Sequence, residues 1–161
     1  MPLLEMLARK DAAKEVQVVR LCRLGQAALK VSYRDKALKA YTRAVELIPT
    51  DLQALRGQIP LLFEAGQFVD AKHGCETALR EHRELLGAKE QAELLSLLGA
   101  SEHRLSHDEA AQSALRQALE LDPLHRQSLR TLRQIETLDP AQKLSCRQAL
   151  LKSLQSPEAM A

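Results

Sequence analysis

Three stretches of the chain place small and larger apolar residues on one helical face, with polar residues between them. In the first stretch, Ala37, Tyr41 and Ala44 follow the i, i+4, i+7 spacing that brings side chains together on a helix. The same order returns in Ala71, Cys75 and Ala78 and again in Ala111, Leu115 and Ala118. The step from Ala37 to Ala71 is the period of about 34 residues that is typical of helix–turn–helix repeats. This self-similarity predicts an all-α array of antiparallel helix pairs.

The first pair is predicted from its terminal residues. Asp11 is a suitable N-cap for a first helix over about residues 12–31, and Pro49 stops a second helix at about Leu47 because it has no backbone N–H. The first helix has a stripe predicted to be buried: Leu21, Leu24, Ala28 and Val31. Residues 1–11 form a short amphipathic segment whose apolar side chains are expected to pack on the array or on a partner, with packing within the chain favoured: Leu3, Leu4, Met6 and Leu7.

The second repeat departs from the first in two ways. Pro60 falls inside its predicted first helix, where it removes a hydrogen bond and should bend the helix. Gly66 suits the left-handed end of that helix. The step from Ala71 to Ala111 is six positions longer than the step from Ala37 to Ala71, so the second helix is expected to extend through Leu86, with Gly87 ending it.

The third repeat ends as the first does, with Glu120-Leu121-Asp122-Pro123 matching Glu46-Leu47-Ile48-Pro49. A further helix from Arg126 has Leu129, Leu132 and Ile135 on one face, and Asp139-Pro140 begins a last helix to about Gln155. This last helix is expected to close the array, and residues 156–161 are expected to be a disordered tail.

The repeats also open alike, with Leu21-Cys22-Arg23-Leu24-Gly25 in the first and Leu95-Ser96-Leu97-Leu98-Gly99 in the third. With the alanine pattern and the final prolines, these segments make the chain resemble a tetratricopeptide repeat protein. The resemblance implies a right-handed α-solenoid of about eight or nine helices, with a capping C-terminal helix. It gives one domain over residues 12–155, divided into repeats at 18–51, 52–91 and 92–125 and a degenerate pair at 126–155.

Composition limits the possible partners and the location. The 161 residues have a net charge of only +2, which by itself favours neither a nucleic-acid nor a membrane partner. Three cysteines, Cys22, Cys75 and Cys146, have no close pair and so predict a reducing compartment. No apolar run reaches the ~20 residues of a membrane span, and the chain is expected to be cytoplasmic.

The sequence has no signature of catalysis or of cofactor binding. The six glycines are scattered and no His-Glu-x-x-His motif occurs, so we expect no enzyme activity, no cofactor and no metal. His103 and His107 are four positions apart but lie on either side of a predicted turn, where local hydrogen bonds are expected. His73 and Cys75 point in different directions on a helix, which argues against a catalytic pair.

The resemblance implies that first helices line a concave surface that binds a peptide segment or a helix of another protein. The positions that this implies for the present sequence are Cys22, Gln26, Lys30, Gln53, Arg56, Phe63, Glu93, Ser96, His103, Gln127, Arg130 and Gln134. Repeats that clamp a chaperone's terminal carboxylate use several cationic and amide donors. The matching positions here are Cys22, Gln26, Gly57, Glu93 and Leu97, so the clamp is expected to be absent.

The function predicted from these observations is that of a protein-binding scaffold or adaptor. RNA binding is the alternative, because related helical-pair repeats read bases one per unit. Aromatic residues make up only 2% of the chain, which leaves few side chains to stack on bases. The oligomeric state and the identity of the partner stay open.

Overall fold

The computed structural model describes residues 2–136 and 151–152 of the chain. Within residues 2–136 it is all-helical, and the fold class predicted from the repeats is confirmed. The seven helices are α1 (Pro2–Lys30), α2 (Arg34–Leu47), α3 (Leu52–Glu64), α4 (Phe68–His82), α5 (Ala88–Arg104), α6 (Asp108–Leu121) and α7 (Arg126–Glu136). Leu151 and Lys152 are also helical, but most of the predicted last helix and the predicted tail lie outside the described residues.

Helix α1 is a single helix of 29 residues, so the prediction that Asp11 caps a separate helix is wrong. Between Leu3 and Leu24 the sequence has neither proline nor glycine, and nothing there interrupts the helical hydrogen bonds. Pro2 occupies the first position, where its missing N–H costs nothing. The apolar residues at the start of α1 are exposed and do not pack within the described chain as predicted: Leu3, Leu4, Met6 and Leu7.

Three tight turns join the helices of each pair and share one geometry. Ser32, Gly66 and Ser106 all have positive φ, at 63°, 79° and 65°. In each turn the next residue donates its N–H to a carbonyl five positions back: Tyr33 to Ala28 (2.8 Å), Gln67 to Leu62 (2.9 Å) and His107 to Glu102 (2.8 Å). This is the bond of a Schellman C-cap, and it confirms the left-handed conformation predicted at Gly66.

The chain divides into two compact units, Met1–His82 and Arg83–Ala161. In the first unit, Tyr41 of α2 fills the space between α1 and α3. A Cβ added to Gly25 would lie 2.6 Å from Tyr41 Cε2, and one added to Gly57 would lie 2.3 Å from Tyr41 Cε1. Ala37 and Ala44 beside the ring are fully buried, as the small-residue pattern predicts. The two glycines therefore permit an aromatic ring between closely packed helices.

The prediction of a buried stripe on α1 is largely wrong. The buried residues of α1 are Val18, Cys22, Gly25 and Ala28. Leu24 and Val31 are 59% and 61% exposed, and Leu21 is half-buried. The buried face of α1 is the one that meets the Tyr41 ring, so the small residues Cys22, Gly25 and Ala28 follow Val18 on it, and Leu24 and Val31 lie beside it.

Helices α3 and α4 complete the first unit. Asp51 caps α3 by accepting a hydrogen bond from the N–H of Ala54 at 3.0 Å. Helix α3 continues through Pro60, whose ring is exposed; the bend predicted there stays a prediction. Cys75 of α4 is fully buried, and a Cβ on Gly74 would lie 2.9 Å from Ile59 Cγ1. A glycine thus again permits close packing beside a large side chain.

Helix α4 ends at His82, so its predicted extension through Leu86 is wrong, and Gly87 begins α5 rather than ending α4. The Gly87 N–H donates to the Glu90 carboxylate at 3.3 Å. The side-chain amide of Gln91 donates to the carbonyls of Arg83 and Leu86 at 3.0 and 2.9 Å. These bonds supply partners for groups that a longer α4 would have used.

The second unit contains α5, α6 and α7. Leu115 of α6 lies against α5, where a Cβ added to Gly99 would be 2.6 Å from Leu115 Cγ. Ala111 and Ala118 are fully buried on either side of it, again as predicted. Leu132 and Ile135 of α7 pack on this cluster, which confirms the helix predicted from Arg126.

Candidate functional site

The predicted binding residues fall into two sets, one in each unit. The exposed members in the first unit define the α1–α3 face: Gln26, Lys30, Gln53 and Arg56. The exposed members in the second unit define the α5–α7 face: Glu93, Gln127, Arg130 and Gln134. Each set combines amide and charged groups on the first helices of successive pairs.

The α1–α3 face is positioned by the buried ring of Tyr41. Gly25 and Gly57 contact opposite edges of that ring, which sets α1 and α3 side by side. Gln26 and Arg56 are the sequence neighbours of these glycines, and both are exposed. Burial raises the pKa of the Tyr41 hydroxyl, and the nearby Cys22 adds to the effect. The ring is therefore a neutral spacer between two helices with polar outer positions.

Cys22 and Ser96 were predicted to line the binding surface, but both are buried. Cys22 belongs to the core cluster around Tyr41, and burial, followed by the charge of Asp51, raises its thiol pKa. Ser96 Oγ is enclosed and has no hydrogen-bond partner among the described residues. These positions face inward because α1 and α5 present small residues to their partner helices. Both are removed from the candidate site.

Phe63 is half-buried at the end of α3. Its ring meets the ring of Phe68 edge to face, with the centroids 5.2 Å apart and an interplanar angle of 67°. This geometry is favourable for an aromatic pair and holds the α3–α4 turn at the end of α3 opposite Asp51. Phe63 thus retains only part of its ring surface for a partner.

His103 and His107 are both engaged across the α5–α6 turn. His103 Nδ1 lies 3.0 Å from Asp108 Oδ1, and His107 Nδ1 lies 2.7 Å from Glu102 Oε2. The local hydrogen bonds predicted for these histidines are therefore present. Glu102 is buried, so His107 supplies a partner to a carboxylate that would otherwise be costly to enclose. His103 contributes to the turn and is only partly available for binding.

A second buried carboxylate lies at the end of α7. Glu136 is buried, one of its oxygens has no hydrogen-bond partner among the described residues, and burial raises its pKa. The guanidinium of Arg116 opposes that rise in pKa. A buried carboxylate with a raised pKa affects the stability of the fold. Because Glu136 lies inside the second unit, it belongs to neither the α1–α3 face nor the α5–α7 face.

Sequence reasoning missed two grooves in the first unit. One, of about 560 Å³, is formed by α2, α3 and α4, and Gln58 donates to Thr42 Oγ1 across it at 3.2 Å. His82 Nε2 approaches the Thr50 carbonyl near the end of the same groove. The other, of about 630 Å³, lies between α1 and α2 and is named the α1–α2 groove. Leu24 and Val31, whose spacing predicts a buried stripe, are instead exposed in this groove.

Residues 2–136 and 151–152 contain no group of three or more His, Cys, Asp or Glu side chains placed to hold a metal ion. Within the same ranges, no helix combines the length and the hydrophobicity that crossing a bilayer requires.

One family model and several solved structures are similar to this chain. A family model described as tetratricopeptide repeat matches residues 20–51, which include the C-terminal part of α1 from residue 20 onward and all of α2. The first tetratricopeptide repeat domain of Spaghetti (RPAP3), bound to the HSP90 peptide SRMEEVD, is similar with a TM-score of 0.64. It is 22% identical, and the match covers 76% of this chain and 92% of that one.

Two further structures have the same fold. The second such domain of human RPAP3, in complex with the HSP70 peptide SGPTIEEVD, has a TM-score of 0.64 at 15% identity, covering 76% of this chain and 98% of that one. MamA from Desulfovibrio magneticus RS-1 has a TM-score of 0.71 at 18% identity, covering 86% of this chain and 74% of that one. A tetratricopeptide repeat therefore lies at residues 20–51, and the described residues have the fold of these solved tetratricopeptide repeat domains.

Proposed function

We propose that this protein is an interaction scaffold that binds an extended peptide segment of a partner protein on the α1–α3 face. The repeat fold is that of a protein-interaction module, and the four residues of this face have amide and cationic groups that suit binding. The observation that carries the proposal is the placement of Gln26 and Arg56. Each is exposed and adjacent to a glycine held against the same buried ring, so two donor side chains flank the line where α1 meets α3.

The chemistry of this face suits an extended chain. Side-chain amides such as those of Gln26 and Gln53 have both donors and acceptors, which match the N–H and C=O groups of a peptide backbone. The cations of Lys30 and Arg56 suit carboxylate side chains, to which charge-assisted hydrogen bonds are the stronger ones. The exposed part of the Phe63 ring adds an apolar contact at the far end of α3. The α5–α7 face offers similar groups, with the acid Glu93 among them.

The binding mode is proposed to lack a carboxylate clamp. Of the five clamp positions, Cys22 is buried, and at Gly57 even a Cβ would lie 2.3 Å from the Tyr41 ring. Gln26 and Leu97 are uncharged, and Glu93 is an acid that would repel a terminal carboxylate. The two RPAP3 domains are described as bound to peptides that end in Glu-Glu-Val-Asp. We propose that this chain instead recognises an internal segment through its backbone and acidic side chains.

The clamp can be tested with those same peptides. Fluorescence polarisation with labelled SRMEEVD and SGPTIEEVD should show a Kd weaker than about 1 mM, equivalent to about 4 kcal/mol of binding free energy. The first RPAP3 domain, which is described as bound to SRMEEVD, is the positive control. Micromolar binding that disappears when the terminal carboxylate is amidated would contradict the proposed mode.

The α1–α3 face can be tested by selection from a display library of random peptides. Peptides enriched on the wild-type chain should bind Lys30→Glu/Arg56→Glu at least tenfold more weakly, a loss of about 1.4 kcal/mol, because both cations reverse sign. Arg80→Glu is the matched control, since Arg80 is an exposed cation on α4. Arg130→Glu tests the α5–α7 face separately. Equal binding by wild type and the double variant would remove the α1–α3 face from the proposal.

Three further expectations belong to this proposal. RNA binding gains no support from the family match or from the three structures above, and filter binding at low salt should show no retained RNA. Activity as an enzyme is not expected, because neither face brings a nucleophile to a base. A cytoplasmic location agrees with two free, buried thiols, Cys22 and Cys75.

A further inference from the structure

Among the described residues, the α1–α2 groove is lined by α1, α2 and the turn between them, so it is separate from the α1–α3 face. Its floor is apolar and open to solvent. Leu24 is 59% exposed, Val31 61% and Tyr33 58%, and Leu21, Ala27 and Ala40 complete the floor. Its volume of about 630 Å³ lies within the ~300–1,000 Å³ of typical ligand sites. An exposed apolar patch of this kind is a candidate contact surface for another molecule.

One wall of the groove has a line of positive charge. Lys36, Lys39 and Arg43 lie at i, i+3 and i+7 on α2, which places them along one side of that helix over about 10 Å. Lys36 Nζ also lies 5.0 Å from the centre of the Tyr33 ring, so the first cation and the aromatic part of the floor are held together. Among the described residues, the lining includes these three cations and no carboxylate.

The charge belongs to the first repeat and is missing from the third. The step that takes Ala37 to Ala111 takes the three cations to positions on α6 that are all uncharged: Ala110, Ser113 and Gln117. The pattern that repeats between α2 and α6 retains the alanines of the packed face, so it does not require cations on the outer face. The three cations therefore distinguish the α1–α2 groove from the corresponding surface of the third repeat.

We infer that the α1–α2 groove docks an amphipathic helix of a partner protein, one with aliphatic residues on one face and carboxylates beside them. The aliphatic residues would cover Leu24 and Val31, and carboxylates spaced at i, i+3 or i+4, and i+7 would meet the three cations of α2. A helix is favoured because both walls are helices of at least two turns, so a third helix can pack along them as in other helix pairs. The acidic character follows from the sign of the lining charge.

A second copy of this chain is a poor occupant of the same groove. A twofold interface brings a patch against itself, so six cations and no carboxylate would be brought together. Like charges facing one another across an interface oppose association. The start of α1 is apolar as well, but residues 2–17 have as many basic as acidic side chains and offer no net negative charge. Charge complementarity thus selects an acidic partner helix.

The inference can be tested on the full chain with synthetic helical peptides. The probe has leucines at i, i+3 and i+7 flanked by glutamates; one control has the same composition in scrambled order, and another has lysine in place of every glutamate. Fluorescence anisotropy should show saturable binding of the glutamate peptide only, which weakens as salt is raised. Binding of the lysine peptide as tightly as the glutamate peptide would overturn the charge argument.

Variants locate the site. Lys39→Glu/Arg43→Glu and, separately, Leu24→Ser/Val31→Ser should each weaken binding of the glutamate peptide at least tenfold. All four residues are exposed or lie at the groove edge, and thermal melting should confirm that the variants fold. Arg80→Glu, at an exposed cation on α4, is the control and should bind the probe as the wild type does. If Arg80→Glu abolished binding and the groove variants did not, the inferred site would be wrong.

Self-association gives the remaining outcome. Sedimentation equilibrium should find no dimer that depends on the groove. A dimer that dissociates on Leu24→Ser/Val31→Ser would identify a second copy as the occupant and overturn the inference. Because the groove and the α1–α3 face share none of these mutated residues, failure here leaves the proposed function standing, and the reverse is also true.

Discussion

Repeats one and two fill the same space between their helices with opposite combinations of side chains. In repeat one the first helix has Gly25 and the second has Tyr41. The step that takes Ala37 to Ala71 takes these two positions to Ile59 and Cys75 in repeat two. Ile59 and Cys75 are both fully buried, and Gly74 admits the Ile59 side chain. A large side chain on one helix is matched by a small one on the other.

Repeat three returns to the first arrangement with a smaller filler. Gly99 and Leu115 occupy the positions of Gly25 and Tyr41. Thr131 stands where repeat one has Gly57, so the smaller Leu115 coincides with a larger residue on the third helix. The comparison shows that a glycine occupies a position where the side chain facing it is large. Packing at native density is maintained by the pair of residues rather than by either one.

Removing the filler should produce the largest effect. Tyr41→Ala deletes a buried ring that contacts both α1 and α3, and we expect the free energy of unfolding to fall by about 3–5 kcal/mol. Chemical denaturation followed by circular dichroism measures it. Tyr33→Ala is the matched control, because that tyrosine is exposed and should lose no more than about 0.5 kcal/mol. Similar losses for the two tyrosines would contradict the role assigned to Tyr41.

Adding volume opposite the filler comes next. Gly57→Ala should cost about 1–3 kcal/mol by overpacking against Tyr41, although alanine favours a helix by up to ~1 kcal/mol. Gly87→Ala is the control, since nothing lies within 4 Å of its Cβ position and its φ is −68°. Tyr41→Leu, which imitates repeat three, should recover part of the loss in a double-mutant cycle. Strict additivity of the two changes would show that Gly57 and Tyr41 are not coupled.

The small partner in repeat two gives a test by pH. Burial raises the pKa of the Cys75 thiol from 9.0 to about 12, with a smaller contribution from Glu76. Above pH 9 the unfolded chain loses this proton while the folded chain keeps it, so stability falls as pH rises. The contribution is about 1.4 kcal/mol per pH unit between the two pKa values. Denaturation of wild type and Cys75→Ala at successive pH values should show a shallower alkaline decline in the variant. Equal slopes would mean that Cys75 is not enclosed.

The smallest effects should come from the turns that all three repeats share. Ser32 and Ser106 occupy the left-handed position that glycine fills at Gly66. An L residue there costs roughly 1–2 kcal/mol, of which the extra entropy of unfolded glycine cancels ~0.5–1 kcal/mol. Ser32→Gly and Ser106→Gly should therefore each stabilise by about 0.5–1 kcal/mol, measured as a higher denaturation midpoint. Gly66→Ala should do the reverse, and a loss at either serine would show that its hydroxyl is needed.

The recurring features of the sequence predict much of this fold. Pro49 and Pro123 follow the ends of α2 and α6, and the alanine ridges identify the faces that these helices bury. The repeat period predicts where the turns lie, because residues 32 and 66 are one period apart. These features depend on backbone chemistry and on small side chains, which act in the same way in every repeat.

The orientation of α1 and the length of α4 could not be predicted in this way. Hydrophobicity favoured Leu24 and Val31 as buried residues, but the buried positions beside them belong to Cys22 and Gly25, which face Tyr41. A glycine has no side chain and contributes nothing to a hydrophobic pattern. The pattern therefore cannot reveal where a glycine allows two helices to pack closely. The loop after α4 is bound by Gln91, a residue of the next helix, whose side-chain amide donates to the carbonyls of Arg83 and Leu86.

The residues predicted for the candidate site were likewise only partly correct. Positions transferred from the family pattern gave exposed side chains at Gln26 and Arg56 but buried ones at Cys22 and Ser96. A family position specifies where a residue lies on an average helix, and in this chain the positions of Cys22 and Ser96 are enclosed by the packed helices. Whether the exposed positions bind a peptide stays a prediction.

The glycine and tyrosine of repeat one make its two helices inseparable in any exchange of repeats. A chimaera that followed the first helix of repeat two with the second helix of repeat one would set a tyrosine against Ile59, and the reverse chimaera would leave a void between a glycine and a cysteine. Averaging the three repeats into a consensus would erase both solutions. Lengthening or shortening this array by recombination therefore requires crossover points between repeats, in the loops that precede the first helices, where whole pairs move together.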